Sequence, residues 1–204
     1  MNCFPRLSRP ANPGINNNYM ALPDFNAQGL LPEGVHPATA GDLKDRFVSP
    51  FAGSTTRQII FDNFCRYQAD VAALGGHVTQ WVDGSFVDQS RLDPDDVDAV
   101  NFCEFSALNS LPPATQIQIA PLLDGRDSTK ATYKTHTFLI VRFPAGHALE
   151  ASFEKQRKYW RDWFSRPQDY TGPIKSEALW RGRKGIVQMN IGQVNLCPTV
   201  GDAM

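Results

Sequence analysis

The chain lacks most of the features that settle a protein's class quickly. No apolar run among its 204 residues approaches the length of a membrane span, and the first residues hold no apolar stretch of the kind a secretory signal carries. Its 4 cysteines (Cys3, Cys65, Cys103 and Cys197) are scattered, with no C-x-x-C pair. This spacing argues against a zinc site or a disulfide framework and predicts free thiols in a reducing, cytoplasmic setting. Neither sign of charge dominates: 20 Lys and Arg face 21 Asp and Glu, for a net charge of -1. Without an overall basic field, any contact with RNA or DNA has to use a local patch. The phosphate-loop pattern G-x-x-x-x-G-K-[ST] is missing, as are internal repeats and heptads. What is present is 42% hydrophobic and 11% aromatic residues, enough for one core of ordinary domain size.

Residues 1–19 are rich in Pro, Asn and Arg, show no periodicity and read as a flexible extension. Thr39 is placed to cap a short helix containing Leu43 and Phe47. A longer helix is expected from Ser54 or Thr55 to Leu74, because Ile60, Phe64, Tyr67, Val71 and Leu74 recur at helical spacing and Gly75-Gly76 follows. Arg57 and Arg66 on it read as surface or salt-bridging arginines. Ala114 to Leu123 reads as a short helix weakened by Pro121, and Lys130 to Tyr133 as a helical turn before a clear strand, Thr135 to Phe143. Ala148 to Phe164 reads as a second strong helix with a stripe of Leu149, Phe153, Gln156, Trp160, Trp163 and Phe164. A strand from Ile186 to Ile191 closes the pattern.

The chemistry concentrates between Trp81 and Val100, WVDGSFVDQSRLDPDDVDAV. A strand, Val78 to Val82, runs into Gly84-Ser85, and a second strand carries Asp96 and Asp98, giving G-S-x10-D-x-D. Side chains two apart on a strand share a face, so the two carboxylates point the same way. Hard oxygen ligands of this kind suit Mg2+, which is usually held by one or two carboxylates together with substrate phosphate oxygens. Gly84 lets the backbone approach a phosphate, and Ser85 adds a hydroxyl and a backbone N–H. Asp-Pro-Asp-Asp can also serve as no more than a solvated, strand-capping loop.

Gly84-Ser85 with Asp96 and Asp98 resembles the nucleotidyltransferase superfamily of DNA polymerase beta, and most of all its minimal members. A second resemblance runs through LPDF, LPEG, DLKDRF, WVDGSFV and DPDDVD, from Leu22 to Val100 and more weakly beyond. It is to a widespread family of small bacterial and phage proteins with a Leu-Pro-x-Gly segment and an Asp-Gly-Ser-Phe core, and it suggests Met20 as an alternative start. The first resemblance implies an α+β fold, a small mixed β-sheet covered by helices, with residues 20–145 as the nucleotidyltransferase-like core. Residues 146–204 would add a helix and a strand packing on it. It implies a metal-dependent transfer of NMP from an NTP to a hydroxyl of a protein, an RNA such as tRNA, or a small molecule. Mg2+ would be the metal, with Mn2+ as a second choice, and the setting bacterial or phage defence or toxin–antitoxin biology.

One position departs from that pattern. A third acidic residue usually faces the Asp pair from a neighbouring strand, and the expected register puts His136 there. Imidazole suits Mn2+ or Zn2+ better than Mg2+. His136 therefore reads as a ligand, as a general base for the attacking hydroxyl, or as an inert strand-end histidine. Asp124, Asp127 and Glu104 are the fallback carboxylates. Arg181, Arg183 and Lys184 form the compact basic cluster, read either as a receptor for triphosphate or polynucleotide, or as a solvated turn before an edge strand. Three functional readings stay open: a working transferase, a degenerate module that binds a nucleotide or a protein partner without turnover, and an unrelated interaction protein. The last expects Asp96 and Asp98 to face bulk solvent.

Overall fold

A computed structural model describes residues 22–167 and 182–192. The expected elements are there, in a mixed sheet with helices on both sides. Strand β1 (Val35–Pro37) is followed by helices α1 (Ala40–Phe47) and α2 (Arg57–Ala73) and by β2 (Val78–Asp83). A one-turn 3-10 helix, Ser85–Val87, precedes β3 (Val97–Glu104). Helices α3 (Phe105–Asn109), α4 (Pro113–Leu123) and α5 (Asp127–Tyr133) lead to β4 (Thr135–Arg142), then α6 (Ser152–Phe164) and β5 (Ile186–Ile191). The fold class is thus α+β, as expected.

The 5 strands lie in the order β1-β5-β2-β3-β4. β2 pairs antiparallel with β3 and with β5, whereas β1 with β5 and β3 with β4 run parallel. β5 is therefore an inner strand and not the edge strand the basic turn suggested. The C-terminal segment supplies an inner part of the sheet.

Alternation along the strands divides the core in two. Val78 and Val82 of β2, Val97 and Ala99 of β3, and Val187 and Met189 of β5 meet Ile60, Phe64, Tyr67 and Val71 of α2. On the opposite face Trp81, Val100, Ile140 and Ile186 meet Phe153 and Phe164 of α6. Removing a large aromatic from either layer would cost about 3–5 kcal/mol through lost burial and a residual cavity. The α2 layer also encloses a polar chain. Gln68 donates to Gln80, Gln80 to Asn101, and Asn101 in turn to the Tyr67 hydroxyl and the Leu123 carbonyl. Buried amides need such partners, and these tie α2 and α4 to the sheet.

Two helix starts differ from the expectation. α1 is capped by Thr39 as expected: its hydroxyl accepts the Asp42 N–H while Asp42 accepts the Thr39 N–H. α6 starts at Ser152, later than Ala148, so Leu149 falls outside it and lies exposed. Its buried stripe narrows to Phe153 and Phe164, with Trp160 half-buried and Trp163 exposed. α2 starts at Arg57, and there the surface reading of that arginine fails. Arg57 is fully buried. Its guanidinium donates to the carbonyls of Phe47, Phe86, Asp88, Arg91 and Leu92 and stacks 3.8 Å from the Phe51 ring. Arg66 is exposed, as expected, and donates to the Thr132 carbonyl.

Cys103 is a free, buried thiol, and no disulfide joins two of the described residues. Cys65 is not a free thiol, so the expectation for the cysteines does not hold there. Cys3, Cys197 and Arg181, like residues 1–19, lie outside the described residues. Among those described, no helix is long and apolar enough to cross a membrane.

Candidate metal centre

The antiparallel register sets Asp83 opposite Asp98, and the parallel register sets Asp98 opposite His136. Three polar residues thus form a row across β2, β3 and β4 at one end of the sheet, on the face that α6 covers. Asp96 stands just before β3. Ligand atoms of Asp96, Asp98 and His136 all lie within 4.8 Å of one another. His136 Nδ1 is 3.3 Å from Asp98 Oδ1.

Gly84 closes this group from the β2 side. Its backbone has φ +90° and ψ −162°, a conformation open essentially to glycine alone. A Cβ added there would lie 2.5 Å from Asp98 Oδ2. The Gly-Ser turn is therefore packed directly against the second carboxylate of the Asp-x-Asp pair. Ser85 follows, half-buried, as the first residue of the 3-10 turn.

The loop between that turn and Asp96 is held from α2. Arg57 gathers the carbonyls of residues 86, 88, 91 and 92. Asp93 accepts from the Ser54 hydroxyl and the Thr55 N–H, and these bonds lower its pKa. Asp96 and Asp98 are consequently half-buried and do not project into bulk solvent. The solvated-loop arrangement expected of an unrelated interaction protein is not what is seen.

Two lysines that the sequence reading did not place in these positions complete the electrostatics. Lys130 of α5 puts its Nζ 2.9 Å from Asp96 Oδ2. Burial pushes the Asp96 carboxyl up, against the pull of Lys130, while the hydrogen bond to Asp96 pushes the Lys130 ammonium up. His136 is likewise pushed above its ordinary value, mainly by its hydrogen bond to Asp98. The second lysine is Lys184. It is 2% exposed, lies 2.7 Å from the buried Asp83 Oδ1 and donates to the Gly84 carbonyl at 3.2 Å. Burial raises Asp83 to about 7 even though Lys184 opposes the shift.

Lys184 corrects the reading of the basic cluster. Its charge is used inside the fold, beneath the glycine turn, and is not presented to a triphosphate. Arg183 is exposed but ion-paired, 3.7 Å from Glu33 and 3.5 Å from Asp162. The fallback carboxylates stand elsewhere: Glu104 pairs with Arg142 and Asp124 with Arg126. Asp127 is exposed at the start of α5.

The donor set fits a divalent cation. Two carboxylates and one imidazole offer three ligand atoms at mutually compatible distances, with the Lys130 ammonium beside Asp96. Mixed oxygen and nitrogen donors favour Mn2+ over Mg2+ in such a site.

Residues 23–190 match a family of unknown function (DUF6932), and the chain belongs to that family. No curated protein and no solved structure matches it.

Proposed function

We propose that the protein is a metal-dependent nucleotidyltransferase of the minimal, DNA polymerase beta-like type. The observation that carries this reading is the contact of Gly84 with Asp98, which brings the Gly-Ser turn and both carboxylates of G-S-x10-D-x-D to one point. Asp96 and Asp98 would hold the metal, and the backbone at Gly84 and Ser85 would receive the triphosphate. A bound divalent cation supplies charge neutralisation and alignment of nucleophile and leaving group. An acceptor hydroxyl on a protein, an RNA or a small molecule would attack the α-phosphorus. The new P–O bond forms as the bond to pyrophosphate breaks, and the hydroxyl proton passes to a base. His136, beside Asp98, would be that base in a complex where Asp96 and Asp98 alone hold the metal. Such chemistry depends chiefly on positioning and electrostatics, so a small constellation suffices. Cytoplasmic phage defence or toxin–antitoxin biology is the setting that goes with this reading.

One observation favours a second reading, a module that binds a nucleotide or protein partner without turnover. Lys130 already sits on Asp96 and His136 on Asp98, where a working site would use cations and a third carboxylate. Calorimetry of NTP binding with Mg2+ and with Mn2+, run beside a pyrophosphate-release assay, separates the two. Metal-dependent binding that is lost in Asp96→Ala/Asp98→Ala, together with pyrophosphate release, supports the transferase. Binding without release in the presence of candidate acceptors supports the binding module. Absence of NTP binding with either metal would overturn the transferase and the nucleotide-binding form of the module, leaving a protein partner as its ligand.

A further inference from the structure

The face of the sheet that carries the acidic row has a second polar region at its other end. Asp83 and Thr79 are four residues apart on β2, roughly 13 Å along a strand. There Thr79 sits opposite Asn190, and Trp81 opposite Gln188. Next to apolar Trp81 and Ile186, three hydrogen-bonding side chains therefore occupy positions that a helix layer would ordinarily cover. α6 does not seal them. A cavity of about 230 Å³ remains between this part of the sheet and the first turns of α6, bordered by Trp81, Phe102, Phe153, Arg142, Arg157 and Glu104 as well as by Thr79, Gln188 and Asn190.

The hydrogen bonds of the floor fix which groups it can offer. Trp81 Nε1–H donates to Gln188 Oε1 at 3.2 Å, and the Thr79 hydroxyl donates to Asn190 Oδ1 at 3.1 Å. Each amide thus spends its oxygen on a neighbour, and neither NH2 has a partner among the described residues. The walls add two guanidiniums held by aromatic rings: Arg142 lies 4.3 Å from the Phe153 ring and Arg157 5.4 Å from the Trp81 ring. Glu104 is the carboxylate in the lining, and it lies 3.5 Å from Arg142. A pocket with two amide donors, two arginines and aromatic edges complements oxygen lone pairs on a flat body.

The geometry points to a second binding site here, for a small aromatic oxyanion, an aryl phosphate or aryl carboxylate whose head meets the donors and whose ring meets Trp81, Phe102 or Phe153. The site is independent of the acidic row and of the metal. A cavity of this size admits a one-ring ligand and not a polynucleotide.

The test is an NMR titration of the full chain with phenyl phosphate in buffer containing EDTA, following the Trp81 indole N–H and the Gln188 and Asn190 side-chain amides. Saturable shifts of these signals are expected. Arg157→Ala should weaken binding about tenfold or more, as loss of a charge-assisted contact does. Asn190→Asp keeps the Thr79 hydrogen bond but turns a donor into an acceptor, and it should abolish binding while the rest of the spectrum stays native. Asp96→Asn/Asp98→Asn should leave it unchanged. Benzoate binding in place of phenyl phosphate would support the same site and identify the carboxylate as its ligand. Three outcomes would overturn the proposal: no saturable shift with either probe, equal response to benzamidine, or loss of binding in the Asp96/Asp98 variant. Inorganic phosphate binding as well as phenyl phosphate would overturn the aromatic part of it.

Discussion

The two ends of the α6-covered face are built from opposite kinds of group. At one end Asp83, Asp98 and His136 stand in a row with Asp96 beside them, and the acceptors outnumber the donors. At the other, Thr79, Asn190, Trp81 and Gln188 pair across β2 and β5 so that amide donors are left over, with Arg142 and Arg157 above. The same strands and the same covering helix serve both. What differs is the support. The acidic end is held by buried ionic and backbone contacts, Arg57 under the loop and Lys184 under the glycine. The donor end rests on side-chain hydrogen bonds and partly exposed arginines. The first is costly to disturb and the second forgiving.

The largest effect should come from Arg57→Ala. It leaves five carbonyls without their donor and should cost about 3–5 kcal/mol, as loss of a buried charged hub does, read by urea denaturation. A cost under 1 kcal/mol would mean the acidic end is not held in this way. Next, Asp96→Asn/Asp98→Asn should reduce Mn2+ affinity by about a hundredfold or more, since even outer groups of a metal site contribute 10- to 100-fold. Calorimetry measures it, and phenyl phosphate binding in the same sample should not change.

Gly84→Ala comes third. The strained backbone and the 2.5 Å approach to Asp98 predict a loss of about 1–3 kcal/mol in stability together with weakened Mn2+ binding. Unchanged thermal stability would show that the turn can move away from Asp98. His136→Asp should shift the balance between metals by about tenfold toward Mg2+, because it replaces imidazole by a hard oxygen ligand. Competition titration is the readout.

The smallest effect is a pH dependence. His136 has a raised pKa in the fold, so its contact with Asp98 contributes stability that is fully present below its ordinary value of 6.5 and is lost as pH rises through the raised value. Asp98→Asn should bring the His136 titration, followed by NMR in metal-free buffer, back toward 6.5 and remove that part of the slope. A His136 titration unmoved by Asp98→Asn would exclude the pairing.

Much of the acidic end was legible in the chain. Gly84-Ser85 and the two carboxylates are close in sequence, so a turn, a loop and strand alternation are enough to put them together. His136 came from a register guess, and the parallel pairing sets it beside Asp98. Lys130 was out of reach because only the packing of α5 against β4 carries it to Asp96. Arg57 read as a surface residue because arginine is rarely buried, and no local pattern announces four carbonyls converging on it from a loop some thirty residues away, with that of Phe47 as the fifth. The donor-rich pocket had no sequence signal. Its parts come from β2, β3, β4, α6 and β5, and single polar residues on strands look like solvent-facing alternation.

The sequence by itself determined the longer helices and strands and the local motif, though not β1 or α3, because periodicity, caps and turns act over a few residues. The order of the strands, the inner place of β5 and the division of one face into an acceptor end and a donor end were decided only in three dimensions. Burial is what decides such matters. Lys184 looks like one of several basic residues in a turn, and it becomes the counter-charge of Asp83 only when β5 enters beside β2 and water is excluded from both.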